Sequence, residues 1–331
     1  MNELSAEFHP PFWLANRHLQ SVLPRLPPRG AAVERRAAAV IAASRRLVLD
    51  CGLGVRLMGW LSIPPEGTAL APRRLTVLLH GWEGSSESPY MLSVAQLLHQ
   101  RGFFVLRLNL RDHGGTHALN RELFHSCRIA EVVGAVARVQ ALHPDASLSL
   151  AGFSLGGNFW LRVGARAAAA GICIARIVAV CPVLEPAATL AALEGGPALY
   201  RWYFLRKWRR SLRAKQDAWP SLYDFGELLA DDSLTTMTDR MVRQYTDFPN
   251  LASYLRGYAI TGSVLESLAA PTTVITSRDD PMILVRDLDT LARPASLRLV
   301  LTERGGHCGY LDALRGPSWI DRRIVAELAQ G

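Results

Sequence analysis

Apolar positions along the chain follow two rhythms. Residues 45–50 and 55–63 alternate with the two-residue period of half-buried strands, and Gly52-Leu53-Gly54 between them predicts a β-hairpin turn. Further on, short apolar runs predict strands at 74–80, 103–109, 147–151, 174–181, 272–276 and 296–301. Between them, longer runs predict helices at 89–100 (closed at Gly102), 126–142, 157–170, 285–291 and 318–330. In the second of these, Ile129, Val132, Val133, Val136 and Val139 recur at helical spacing. Eight strands alternating with helices imply a mostly parallel sheet covered on both faces, an α/β fold. In residues 5–30 the prolines exclude a long helix, and the aromatics imply that the segment packs on the body. Residues 37–43 fit helix or strand.

The rhythm breaks after Pro186. Residues 187–269 carry aromatics and charges but no clear strand, and read as a helical cap inserted into a single domain spanning 1–331. Within it, Trp202, Leu205 and Trp208 share a helical spacing with Arg and Lys between them. This pattern predicts a helix with its aromatic side over the site and its basic side in water. Peripheral contact with anionic lipid is the less favoured alternative.

Composition narrows the classes. The chain has 331 residues, is 49% hydrophobic and carries a formal net charge of +8. Nearly all the positive residues are scattered Arg, with Lys only at Lys207 and Lys215, and no nucleic-acid-binding motif accompanies them. The five cysteines, Cys51, Cys127, Cys173, Cys181 and Cys308, form no C-x-x-C pair and no zinc spacing. The start of the chain lacks a basic region followed by an apolar one, so no signal peptide is expected and a cytoplasmic location is.

Candidate chemistry centres on Gly152-Phe153-Ser154-Leu155-Gly156. This G-x-S-x-G sequence sits between a predicted strand and a predicted helix, the context of a nucleophile elbow. A serine hydroxyl is a weak nucleophile and needs a base, and the base needs an orienting carboxylate. Downstream come Asp279-Asp280-Pro281, after a strand, and His307 in the glycine-rich stretch 305–309. Asp280, at the strand–loop boundary next to Pro281, is favoured over Asp279 as the acid, and His307 is expected to be the base. The oxyanion hole is expected from the backbone amides of Leu155 and Trp82, the latter in the loop His80-Gly81-Trp82. His80 is expected to shape that loop. Glu83 and Asp112 are expected to be solvated. His113, His117 and His125 cluster in sequence, but lack carboxylate partners at ligand spacing, so they are expected to be solvated and no metal is expected.

These motifs resemble the α/β-hydrolase superfamily and, within it, the YheT-like (type 4) branch. The resemblance rests on the elbow with Gly157-Asn158, on His80-Gly81-Trp82-Glu83-Gly84-Ser85, on Asp279-Asp280-Pro281, and on Gly305-Gly306-His307-Cys308-Gly309. The opening Phe12-Trp13-Leu14-Ala15-Asn16-Arg17-His18-Leu19-Gln20-Ser21 is similar to the N-terminal segment of that branch. The chain departs from the pattern at Arg111-Asp112-His113-Gly114-Gly115. The resemblance implies an α/β-hydrolase fold and a carboxylic-ester hydrolase acting on a small-molecule acyl ester without a cofactor. Members are associated with medium-chain acyl esters, phospholipids or acyl transfer to alcohols. A thioesterase or acyltransferase with the same residues is the first alternative, and a non-catalytic binding protein the second.

Overall fold

The computed structural model describes residues 3–5 and 8–330. Their strands form one sheet: β1 (Glu3–Ser5), β2 (Ser44–Asp50), β3 (Arg56–Ser62), β4 (Arg74–Leu79), β5 (Phe104–Leu108), β6 (Ser147–Phe153), β7 (Arg176–Val180), β8 (Thr272–Ser277) and β9 (Leu297–Thr302). The order across the sheet is β1-β9-β8-β7-β6-β4-β5-β3-β2. Antiparallel pairing is confined to β2 with β3 and β3 with β5; every other pair is parallel. The eight expected strands are thus present. The ninth, β1, pairs with the edge of β9, and three residues are too few to display a period.

The central strands are apolar on both sides, as a covered parallel sheet requires. In β4, Leu75, Val77 and Leu79 enter one core and Leu78 the other. In β7, Ile177 and Ala179 face the first, Val178 and Val180 the second.

The helices divide between these faces. Before the hairpin come α1 (Arg17–Val22), α2 (Pro27–Arg36) and α3 (Ala38–Ala42). The prolines of the N-terminal segment do limit helix length, and Pro27 begins α2, where its missing N–H is no loss. Residues 38–42, ambiguous in sequence, are helical. Next come α4 (Pro89–Gln100), α5 (Ile129–Leu142) and α6 (Leu155–Gly164). Helix α6 begins at the residue after Ser154 and ends earlier than the expected 170. Beyond it, Arg166 and Ala167 bond three residues back, so the Ala-rich tail tightens into turns. Between β7 and β8 lie α7 (Pro186–Gly195), α8 (Ala198–Ala218), α9 (Gly226–Ala230), α10 (Leu234–Tyr245) and α11 (Leu251–Gly257). Residues 285–290 form 3-10 turns in place of the expected helix. The chain closes with α12 (Trp319–Ala329), started by a capping box between Ser318 and Asp321. Among the described residues no helix is long and apolar enough to cross a membrane.

Register sets the site. Leu79 is level with Gly152, and Phe153 with Val180, so β4, β6 and β7 end together at their carboxyl edge. The chain turns back across the sheet between β4 and β6, the crevice where open α/β sheets bind ligands.

Candidate active site

Ser154 is the first residue beyond β6 and caps α6, with φ 53° and ψ −118°. A non-glycine residue in the left-handed region carries strain, and glycines around it relieve crowding. A Cβ on Gly156 would strike the carbonyl oxygens of Leu79 and His80, and one on Gly81 would stand 3.2 Å from the Ser154 Cβ. The strand therefore meets its helix and the β4 loop at closest approach, leaving the hydroxyl clear of the sheet.

The three separated sequence candidates meet there. His307 Nε2 lies 3.0 Å from Ser154 Oγ, and His307 Nδ1 lies 2.9 Å from Asp280 Oδ2. The other Asp280 oxygen accepts from the amides of Met282 (2.8 Å) and Ile283 (3.0 Å), which fixes the carboxylate. Asp279 turns elsewhere and accepts from the Gly306 amide at 2.9 Å. Burial opposes a charge on His307, but the Asp280 carboxylate outweighs it and holds the ring above the ordinary histidine value.

The amides of Trp82 and Leu155 donate no hydrogen bond to any described residue, and both residues line the same cavity as Ser154 and His307. His80 is fully buried. Its Nε2 accepts from the Leu110 amide at 3.2 Å, and its Nδ1 donates to the Gly81 carbonyl at 2.8 Å. Burial lowers it to about 4, so it stays neutral and ties β4 to the strand beside it.

The cavity holds about 330 Å³ and opens over Ser154. Tyr203, Phe204 and Trp208 of α8 line it, with Leu190 of α7, Met241 of α10 and Leu255 of α11. The expected inward side of α8 holds for Trp208 and fails for Trp202 and Leu205. Trp202 is 55% exposed and lies outside the cavity, and Leu205 is buried away from it. Trp219 also lies outside, donating to the His117 carbonyl at 2.9 Å. The inward face of α8 runs through Tyr203, Phe204 and Trp208 and presses on Trp82: Phe204 stacks on that indole and Trp208 meets it edge-on. Lys207 shares this face and donates to the Glu83 carbonyl at 2.8 Å.

The solvated reading of the neighbouring polar residues is also overturned. Asp112 is buried and paired with Lys215 at 2.9 Å, and both side chains are removed from water. Arg111, equally buried, bonds Glu131 through Nε and Nη2 and Glu122 through Nη1. The Glu83 carboxylate is 7% exposed, and burial moves it up to about 7. His113 is buried against His80 and Phe124, His117 bonds Ser211, and His125 packs on Phe248 and Tyr254. A charge buried in a pair is satisfied by its partner, and here that partner lies on a helix remote in sequence.

Sequence reasoning missed the support beneath His307. Ser21 Oγ accepts the His307 amide at 2.8 Å. Gln20, fully buried, donates to the carbonyls of Leu14 (2.8 Å) and Leu311 (2.9 Å) and accepts from the Leu311 amide at 2.7 Å. The N-terminal Leu19-Gln20-Ser21 stretch was visible as a motif, but its role lies in contacts 286 and 291 residues away.

A mostly parallel sheet whose carboxyl-edge loops bring this serine, histidine and carboxylate together defines the class. The model of the alpha/beta hydrolase fold family matches residues 76–314, and the chain belongs to that family. Within it the chain is YheT-like: it is 26% identical to YheT of Escherichia coli over 97% of this chain and 92% of that protein. It is also 23% identical to phospholipase ABHD3 of Mus musculus. The medium-chain fatty acid ethyl ester synthase/esterase 2 of Saccharomyces cerevisiae is 24% identical. Each of these two matches covers 76% of this chain, but only 62% and 61% of the relatives' own length. Among solved structures, the Pyrococcus furiosus esterase Pf2001 is similar, with a TM-score of 0.56 at 16% identity, covering 90% of this chain and 95% of that one. That likeness concerns the fold.

Proposed function

We propose that the protein is a serine esterase cleaving carboxylic esters of small to medium apolar acyl chains. The observation that carries this reading is the hydrogen-bonded series Ser154–His307–Asp280 at the mouth of an apolar cavity. Ser154 Oγ attacks the acyl carbon while His307 Nε2 takes its proton, and Asp280 stabilises the imidazolium. The Leu155 and Trp82 amides, which donate to no other described residue, bind the oxyanion. The imidazolium then protonates the departing alcohol. Water enters, gives a proton to His307 and releases the acid, so ester and water become acid and alcohol. Helices α7 to α11, spanning residues 186–257 and so most of the expected cap 187–269, serve as a cap over the acyl chain in a single domain. The names of the YheT-like relatives agree with acyl-ester chemistry.

Acyl transfer to an alcohol uses the same acyl-enzyme, and the yeast relative's name, synthase/esterase, favours testing it. Labelling with a fluorophosphonate, lost in Ser154→Ala, tests the nucleophile. Turnover of p-nitrophenyl esters from C2 to C12, with and without added ethanol, tests substrate and acceptor. A folded chain that neither labels nor turns over any ester overturns the proposal.

A further inference from the structure

The proposed reaction makes no use of two thiols packed behind His307. Cys181 follows β7 and Cys308 follows His307, and both are buried. Both hold left-handed backbone, φ 43° and 61°, which is uncommon for residues with a Cβ. The Cys308 amide donates to Cys181 Sγ at 3.4 Å. The thiols' other polar contacts are long: 3.9 Å from Cys181 to the Gly306 carbonyl, 3.7 Å to the Tyr310 hydroxyl, and 3.7 Å from Cys308 to the Val180 carbonyl. The two sulfurs and a His307 ring nitrogen all lie within 4.8 Å of one another. No other part of the described chain gathers three such donors.

We propose that Cys181, Cys308 and His307 form an inhibitory binding site for a soft divalent cation of the Zn²⁺ class. Zinc binds sulfur at about 2.3 Å and imidazole nitrogen at about 2.0–2.1 Å, so tetrahedral donors stand roughly 3.3–3.8 Å apart. The cluster reaches that spacing by shifts of about 1 Å. Each thiol loses one proton on binding, so two thiolates balance the charge of the ion. Three protein donors leave one position for water or a carbonyl. The cavity over Ser154 reaches His307, and a second, smaller pocket reaches Cys308, so the cluster is approached from both sides. Both ring nitrogens are already engaged, Nδ1 by Asp280 and Nε2 by Ser154. An ion that takes either one removes the base, so occupancy and turnover exclude each other. This consequence rests on the proposed role of His307; binding of the ion does not.

The test uses the full chain, freed of metal and kept reduced with a phosphine. Added Zn²⁺ should abolish p-nitrophenyl butyrate hydrolysis, and excess chelator should restore it. Against each variant's own zinc-free rate, Cys181→Ser and Cys308→Ser should need at least about tenfold more Zn²⁺, since lost supporting partners alone cost metal sites about 10–100-fold. Equal inhibition of wild type and both variants would place the ion elsewhere and overturn the proposal. Co²⁺ titration of Ser154→Ala supplies a readout that needs neither turnover nor a cysteine variant. One equivalent should raise a thiolate-to-cobalt charge-transfer band, and folded Ser154→Ala without that band would also overturn the site. A chain that shows the band but hydrolyses no ester would sink the esterase reading and leave this site standing.

Discussion

The indole of Trp82 lies face to face with the ring of Phe204, centroids 5.2 Å apart and planes 10° from parallel. With Trp208 edge-on to the same indole and Lys207 bonded to the Glu83 carbonyl, this contact joins the loop expected to bind the oxyanion to helix α8, so the cavity and that loop share a wall. Binding an acyl chain there removes methylenes from water at about 0.8 kcal/mol each. kcat/KM should therefore rise by up to roughly fourfold per CH₂ until the cavity is full. Phe204→Ala should flatten that rise and lower stability by about 3 kcal/mol, the low end for a buried aromatic because one side faces the cavity. The ester series and urea unfolding measure the two effects. A profile that falls from acetate onward would mean that acyl chains bind elsewhere.

Ser154→Ala should lower kcat on the order of 10⁶-fold, as removal of a triad serine does in other hydrolases. The alanine keeps the Cβ and the left-handed backbone, so the melting temperature should stay within a few degrees of wild type. Ester hydrolysis near the wild-type rate by purified Ser154→Ala would exclude the serine as nucleophile.

The two adjacent aspartates should separate cleanly. Asp280→Asn should lower kcat on the order of 10⁴-fold by releasing the His307 tautomer. Asp279→Asn alters only a bond to the Gly306 amide and should cost far less. Activity needs neutral His307, so the rate rises with pH through its pKa. Because Asp280 holds that value above the ordinary 6.5, the acid limb of the wild-type profile should lie above 6.5, and Asp280→Asn should move it down. A limb that stays in place in Asp280→Asn would remove the carboxylate from this role.

Glu83 should make stability fall with rising pH. Its carboxyl titrates near 4.5 when unfolded and at about 7 when folded, chiefly because of burial. Between those values the folded chain keeps a proton that the unfolded chain has lost, so unfolding becomes easier as pH rises through this window. The shift corresponds to about 3 kcal/mol at most, complete by about pH 7. Urea unfolding of Glu83→Gln at pH 5 and pH 7.5 should lack this component. Identical pH dependence in the variant and wild type would show that Glu83 ionises normally.

The sequence by itself determined eight of the nine strands, most of the helices that cover them, and the chain order of the candidate serine, aspartate and histidine. Those signals are local. A period of 2 or 3.6 needs only a few residues, and the elbow declares itself through two glycines that no side chain could replace. The preference for Asp280 over Asp279 rested on its place next to Pro281 at the expected strand–loop boundary. The phase of α8 was not local: Trp202 and Phe204 are both aromatic, and only the indole of Trp82 decides which faces inward. Nor could the sequence pair Asp112 with Lys215, because a buried carboxylate and a solvated one look alike until a partner 103 residues away is placed beside it. The same holds for Ser21 beneath His307 and for the two thiols behind it. Hydrogen bonds, ion pairs and soft donors act over a few ångströms, and the chain brings these residues to that range only after the sheet has closed.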